Sequence, residues 1–391
     1  MSIGNVSDLT GRLFRIGSAY DLVVFDRLPL EEQAALAELH EDPDLYGVLK
    51  PREGTARTYR AIGRETALLL LTLREPGPLP FFVWSGDATA AAEAISDLVL
   101  DGVLEIEEAG QFISGPAATV LVSGAQEESG QGQLRELSRQ AMIYGQALEL
   151  DDPVSLASRL YAFGRCPVSA DLARLLSDNE STLAWLGAPK GSDLRQMLES
   201  DWRLSPESEA PGWFAWSRVG RQRRHGTGTS FKLYVSPCVA DVPTTFAIVV
   251  DCLGRRTGAQ FKIGKGAEGI VRPDKIVAYF DTLESLLDAA NDMSARLTGV
   301  RAQGVPFSAE ISCDGLLSWG MDPPRDNRAL SWLGPESWRL WIVRRLANAI
   351  VLAQRSEQLR VQPWQFAVER LSSEGVDTDR WIPTGAGWSA A

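Results

Sequence analysis

Apolar and polar residues alternate over short runs in the second half of the chain, and between those runs the apolar residues recur at helical spacing. Residues 231–236, 260–263 and 307–312 alternate as strands do, and 275–280 is a short β-branched, aromatic run. Residues 242–253 are apolar enough for a helix, although their β-branched content also suits a strand. Residues 283–297 put Leu283, Leu286, Leu287, Ala290, Met293 and Leu297 on one helical face. The order β-α-β-β-α-β predicts an α+β fold, a split βαβ sheet with its helices on one side. A long helix over 336–359 closes it, with Trp338 and Trp341 expected in the core.

The first half is less regular. Residues 28–39 read as a helix with acidic residues in its first turn, and 66–73 as a buried strand or short helix. Pro76, Pro78 and Pro80 then interrupt the chain. Over 87–101 the apolar positions Ala91, Ile95, Leu98 and Val99 keep helical spacing up to an Asp101-Gly102 stop. A strand from Val103, a turn at Ala109-Gly110 and a return strand from Gln111 follow. Helix, strand, turn, strand outlines a winged-helix-like module, a unit that binds DNA or peptides, and equally a plain structural α+β piece. Residues 134–148 and 154–163 read as helices, and the polar stretches 123–132 and 205–211 read as breaks. The break at 123–132 and the basic, Gly-containing loop that starts at 219 divide the chain into an N-terminal α+β region (1–122), a helical middle (133–218) and a C-terminal α/β domain (219–391).

Length and composition narrow the classes. The chain has 391 residues, 45% of them hydrophobic, enough for two or three domains with real cores. A net charge of −12 argues against a nucleic-acid or anionic-membrane surface, and Glu105, Glu107 and Glu108 on the hairpin weaken a DNA-binding wing further. No basic segment followed by an apolar run opens the chain and no apolar stretch is long enough to span a bilayer, so the expected location is cytoplasmic. Cys166, Cys238, Cys252 and Cys313 form no C-x-x-C pair, and the two histidines, His40 and His225, are far apart. No metal site and no cofactor are expected.

The distribution of lysine changes the picture. Positive charge is carried by 33 arginines and only six lysines, four of which (Lys232, Lys262, Lys265 and Lys275) fall between 232 and 275. Arginine keeps its proton in a protein, whereas lysine gives it up when desolvated or set beside other cations. A lysine cluster in an arginine-rich chain therefore marks candidate proton chemistry. Lys232, Tyr234 and Ser236 share one face of their strand. If the strand carrying Lys262 is its neighbour, Lys232, Tyr234 and Lys262 meet in one pocket. The loop 264–274 adds Lys265 and Arg272. Its G-x-G-x-x-G spacing lacks the following helix of a dinucleotide site, but a Gly-rich loop with cations can wrap a phosphate. The basic loop 219–229 brings Arg224 as a further phosphate ligand. Trp202, Trp213 and Trp216 read as core or as the lining of a peptide groove.

The segments Phe231-Lys-Leu-Tyr-Val-Ser, Phe261-Lys-Ile, Arg272-Pro-Asp-Lys-Ile-Val-Ala-Tyr, Gly304-Val-Pro-Phe and Gly315-Leu-Leu-Ser-Trp-Gly-Met-Asp-Pro-Pro resemble the HopA-type effector family. Related phosphothreonine lyase-like proteins belong to lanthipeptide and thioamitide (RiPP) biosynthesis, and the segments are distantly similar to the phosphothreonine lyase domains of the OspF/SpvC type and of lanthipeptide synthetases. The resemblance spans residues 229–335. It implies a lyase that removes phosphate from phosphoserine or phosphothreonine of a ribosomal precursor peptide, leaving a dehydroamino acid, with a separate kinase as partner. In that reading Lys262 is the base, Lys232 steadies the enolate or phosphate, and Arg272 and Lys275 bind phosphate. The family's Lys-x-His becomes Lys232-Leu-Tyr234 here, so the general acid is Tyr234, or His225 folding back from the preceding loop. The alternative is a non-catalytic peptide-binding or complex-assembly protein on the same scaffold.

Overall fold

The computed structural model describes residues 9–52, 59–123, 132–205, 212–219, 230–323 and 336–384. Its N-terminal part comprises β1 (Phe14–Ile16), β2 (Tyr20–Val24), α1 (Leu30–Ala35), β3 (Leu45–Pro51), β4 (Arg60–Gly63), α2 (Arg64–Thr72), α3 (Ala88–Leu100), β5 (Leu104–Glu108), β6 (Gln111–Ile113) and α4 (Thr119–Ser123). Five helices follow: α5 (Gln133–Ala147), α6 (Pro153–Ala162), α7 (Ala170–Leu175), α8 (Asn179–Trp185) and α9 (Asp193–Ser200). Next come β7 (Trp202–Leu204), β8 (Trp213–Arg218), β9 (Phe231–Val235), α10 (Val242–Gly254), β10 (Gln260–Gly264), α11 (Gly266–Ile270), β11 (Ile276–Phe280), α12 (Leu283–Arg296), β12 (Ala309–Glu310) and β13 (Leu317–Met321). The chain ends with α13 (Trp338–Gln354), α14 (Pro363–Ser373), β14 (Val376–Asp377) and β15 (Ile382–Pro383).

Helix α3 starts where the Asp87 carboxylate accepts the Thr89 and Ala90 amides, and it buries Ala92, Ile95 and Val99. The β5–β6 hairpin turns through Ala109 and Gly110 at φ 52° and 82°, the left-handed pair that suits the twist of a two-residue turn. Helix, strand, turn and strand thus occur where the pattern places them. The run at 66–73 is helical, while the helix expected over 28–39 stops at Ala35 and continues only as a 3₁₀ segment from Ala37 to Glu41.

The large sheet is fully antiparallel, in the order β12-β13-β9-β11-β10-β8-β7. Its central strands, β13-β9-β11-β10, with crossovers α10 and α12, are a split βαβ unit. Both crossovers pack on one face. Leu233, Val235, Phe261, Ile263, Ile276 and Ala278 from the sheet share a core there with Phe246, Val250, Leu286 and Met293 from the helices.

Three expectations need correction. The fourth strand is Leu317–Met321, and the run 307–312 contributes only Ala309–Glu310. Phe307 has φ 62°, which ends extended structure, and its N–H and C=O are taken by the Ser138 hydroxyl and the Trp338 indole. The boundary drawn at 219 cuts the sheet, because β7 and β8 pair onto β10 and belong to it. The closing helix does not belong to the sheet's main core. Trp338, Ile342 and Leu346 of α13 join Phe14, Val99, Leu104, Met142 and Leu156 in a second core. That body therefore combines the N-terminal region, α5, α6 and the C-terminal helices, and it lies against the other face of the sheet.

Candidate active site

Strand pleat sorts the sheet's side chains. Trp213, Ala215, Lys262, Gln260, Val277, Tyr279, Tyr234, Lys232, Ser318 and Gly320 fall on the face opposite the crossover helices, as the strand registers require. Lys232, Tyr234 and Lys262 therefore share a face as expected, but not as neighbours. Strand β11 lies between theirs, with Val277 opposite both Tyr234 and Lys262 and Tyr279 opposite Lys232. The tyrosine ring bridges the gap, its centroid 5.8 Å from Lys232 Nζ and 5.7 Å from Lys262 Nζ.

Lys262 stands with its Nζ 4.2 Å from the Trp213 ring centroid and, among the described residues, has no hydrogen bond or ion pair. Burial, reinforced by the charge of Lys232, pulls its pKa down to about 8, and Arg272 acts in the same direction. Lys232 is buried and paired with Asp322 at 2.5 Å. Arg272 lies with its guanidinium carbon 4.7 Å from the Trp213 centroid, and its Nε and Nη2 donate to the Asp274 carboxylate at 2.9 and 3.1 Å.

The residues that hold these cations were not singled out from the sequence. Asp274 also accepts from the Tyr161 hydroxyl at 3.0 Å and lies 3.0 Å from Arg339 Nη1. Burial works against its ionisation, yet Arg339 and Arg272 keep its carboxyl well below the usual range. Burial, then Asp274, raises Tyr161 to about 12. Tyr234 is pushed well above the usual phenol value, first by burial, and no described residue hydrogen-bonds its hydroxyl. The face thus gathers Lys232, Lys262, Arg272 and Arg339 around Asp274 and Asp322, an excess of cations suited to a phosphate.

Two predicted phosphate ligands lie elsewhere. Lys275 is wholly buried and donates to the Pro237 carbonyl at 2.7 Å and to Gln303 Oε1 at 2.6 Å, so it secures the strand β11 entry and does not meet a ligand. Lys265 occupies the position just before α11, with its Nζ 5.5 Å from the centroid of Phe214, a ring on the crossover-helix side of the sheet. The Gly-rich loop is not an open phosphate cradle. It coils into α11, and Gly264 and Gly269 touch backbone to backbone, where a Cβ on Gly264 would sit 2.1 Å from the Gly269 oxygen. His225 and Arg224 lie outside the described residues. Of the three tryptophans, Trp213 lines the lysine face, whereas Trp202 and Trp216 are core.

Among the described residues, no group of three or more His, Cys, Asp or Glu side chains is placed to hold a metal ion, and no helix is long and apolar enough to cross a membrane. No family model matches the chain, and no curated protein matches it. Among solved structures it is similar to an effector protein from Pseudomonas syringae pv. tomato strain DC3000, with a TM-score of 0.41 and 11% identity over 65% of this chain and 100% of the other. It is also similar to an effector protein from Pseudomonas syringae pv. syringae strain 61, with a TM-score of 0.40 and 12% identity over 65% of this chain and 98% of the other. Likeness at this level bears on neither activity nor substrate.

Proposed function

We propose that this protein is a lyase that eliminates phosphate from phosphoserine or phosphothreonine residues of a ribosomal precursor peptide, leaving dehydroamino acids, after a separate kinase has installed the phosphate. The observation that carries this reading is Lys262. It is a desolvated lysine with a pKa near 8 and no ion pair among the described residues, on a face that also presents Lys232 and Arg272. A paired lysine is a poor base, whereas an unpaired one beside other cations holds a free amine near neutral pH.

The residues fit the steps of such an elimination. Arg272 and Lys232 receive the phosphate oxygens, and the carboxylates behind them keep both cations in place. The Lys262 amine takes the Cα proton and becomes ammonium, and the nearby cations stabilise the enolate that builds on the peptide carbonyl. The Cβ–O bond then breaks. One proton must reach the departing dianion for it to leave as hydrogenphosphate, and Tyr234, whose buried hydroxyl stays protonated, supplies it. The Lys262 ammonium then returns its proton by way of solvent to the phenolate, which restores both groups.

The test is mass spectrometry of a phosphothreonine peptide and its phosphoserine counterpart incubated with the full chain. The expected result is a loss of about 98 Da, the mass of phosphoric acid, from either peptide and no change in the unphosphorylated control. Retention of phosphate on both, with the native precursor sequence supplied, would overturn the reading.

A further inference from the structure

We propose that the first turn of α13 sets the two phosphate-binding cations through Asp274 and Asp322, which are positioning residues, so that the helical body completes a site the sheet does not complete alone. The inference takes from the lyase reading only that the site receives a phosphate.

Each aspartate holds one cation and one group of that turn. Asp322 pairs with Lys232 Nζ at 2.5 Å and accepts the Trp338 amide at 3.1 Å. Asp274 holds Arg272 by two hydrogen bonds and lies 3.0 Å from Arg339. Trp338 and Arg339 are consecutive and almost wholly buried, so the turn itself is fixed. Trp338 donates from its indole to the Phe307 carbonyl at 2.8 Å, and its ring covers Gly320, where a Cβ would come 2.5 Å from Trp338 Cδ1. Arg339 donates to the Pro306 carbonyl at 3.2 Å and to the Tyr161 carbonyl at 2.9 Å. Tyr161, on α6, closes the set by donating its hydroxyl to Asp274. Flexible cations bind phosphate weakly because they must be ordered on binding, and a cation held by a buried carboxylate is already ordered.

Charge and placement make opposite forecasts, which allows a clean test. Removing a carboxylate makes the face more positive. Cations fixed by other means would then bind phosphate more tightly, and cations placed by the carboxylates would bind it more weakly. The experiment is calorimetric titration of inorganic phosphate into the full-length wild type, Asp322→Asn and Tyr161→Phe. Asp322 is the more exposed of the two aspartates, and Asn still accepts the Trp338 amide, so this variant keeps the helix start. Tyr161→Phe changes no charge near neutral pH and removes only the hydroxyl that orients Asp274. Phosphate affinity is expected to fall about tenfold in Asp322→Asn and about threefold in Tyr161→Phe, measured at a temperature where a thermal melt shows each variant folded, since losing a partner of a buried group lowers stability as well.

A second readout follows the Lys262 amine by acetylation at graded pH and peptide mass spectrometry. The groups that act on Lys262 are Lys232 on β9, Arg272 and Asp274 before β11, Asp322 after β13, and the rings of Tyr279 and Trp213. Asp322 supports its protonated form, so Asp322→Asn shifts labelling to lower pH. Equal or tighter phosphate binding in folded Asp322→Asn, or unchanged binding in Tyr161→Phe, would overturn the proposal. So would the absence of phosphate binding by the wild type. None of these outcomes depends on elimination, which the mass-loss assay decides separately.

Discussion

Lys232 and Lys262 stand on strands that do not touch, yet their ammonium groups lie 5.8 and 5.7 Å from the ring centroid of one residue, Tyr279. Strand β11 supplies that ring from between them, and the consequence is electrostatic. Burial and the charge of Lys232 both favour the free amine of Lys262.

The pH dependence of elimination follows from that. In the proposed elimination the active form of Lys262 is the amine, so kcat/KM is expected to rise tenfold per pH unit below its pKa and to level off above about pH 8. An unperturbed lysine would place the plateau more than two units higher. Replacing Lys232 with Gln removes the nearby charge and moves the acid limb upward. Initial rates with a phosphothreonine peptide between pH 6 and pH 10 check both points.

Tyr234 is expected to affect turnover more than binding. Its hydroxyl is buried and has no hydrogen-bond partner among the described residues, so Tyr234→Phe leaves no orphaned group. The variant should melt as the wild type does and bind phosphopeptide within a few-fold, while kcat falls about a hundredfold. Single-turnover kinetics beside a thermal melt would separate the two effects.

Gly264 is a stability position. A Cβ there meets the Gly269 backbone at 2.1 to 2.8 Å, and backbone cannot swing aside as a side chain can. Gly264→Ala should cost about 2–3 kcal/mol, read as a lower urea midpoint with an unchanged slope. The same change at Gly86, where nothing lies within 4 Å, is the control.

Glu369, on α14, makes stability pH-dependent away from the lysine-bearing face of the sheet. Burial raises its carboxyl to about 7, so between the unfolded value near 4.5 and 7 the folded state binds the extra proton. Stability from this group is complete below about pH 4.5 and declines as pH rises toward 7. Glu369→Gln removes the decline and should raise stability by about 2 kcal/mol at pH 8 with little change at pH 4.5. Denaturant titrations at the two pH values measure it.

Much of this was legible in the sequence, for reasons that can be stated. Alternation gives the face of a strand, so Lys232 and Tyr234 fall together and Lys262 points the same way. It does not give the neighbour, and the sheet inserts β11 between the two lysine strands. The polar stretch 205–211 and the basic loop from 219 read as breaks, with the domain boundary at 219, but the strands on either side of 205–211 pair and extend the sheet. Lys275 looks like its neighbours in composition, and only packing shows that its ammonium is spent on the Pro237 carbonyl and Gln303. Asp274 and Asp322 lie inside the quoted motifs, but an aspartate beside a cation carries no mark of which helix it serves. Arg339 does carry one signal. A charge beside Trp338 on the apolar stripe of a helix requires a buried partner, and here that partner is Asp274.

The central claim is that Lys262 removes the Cα proton, and the most direct measurement compares wild type with Lys262→Ala on one phosphothreonine peptide by mass spectrometry. The account predicts conversion to the dehydroamino acid by the wild type. In the variant it predicts a rate at least a thousandfold lower, about the upper range for a lost general base, with phosphopeptide still bound. Elimination by Lys262→Ala at a comparable rate would contradict it.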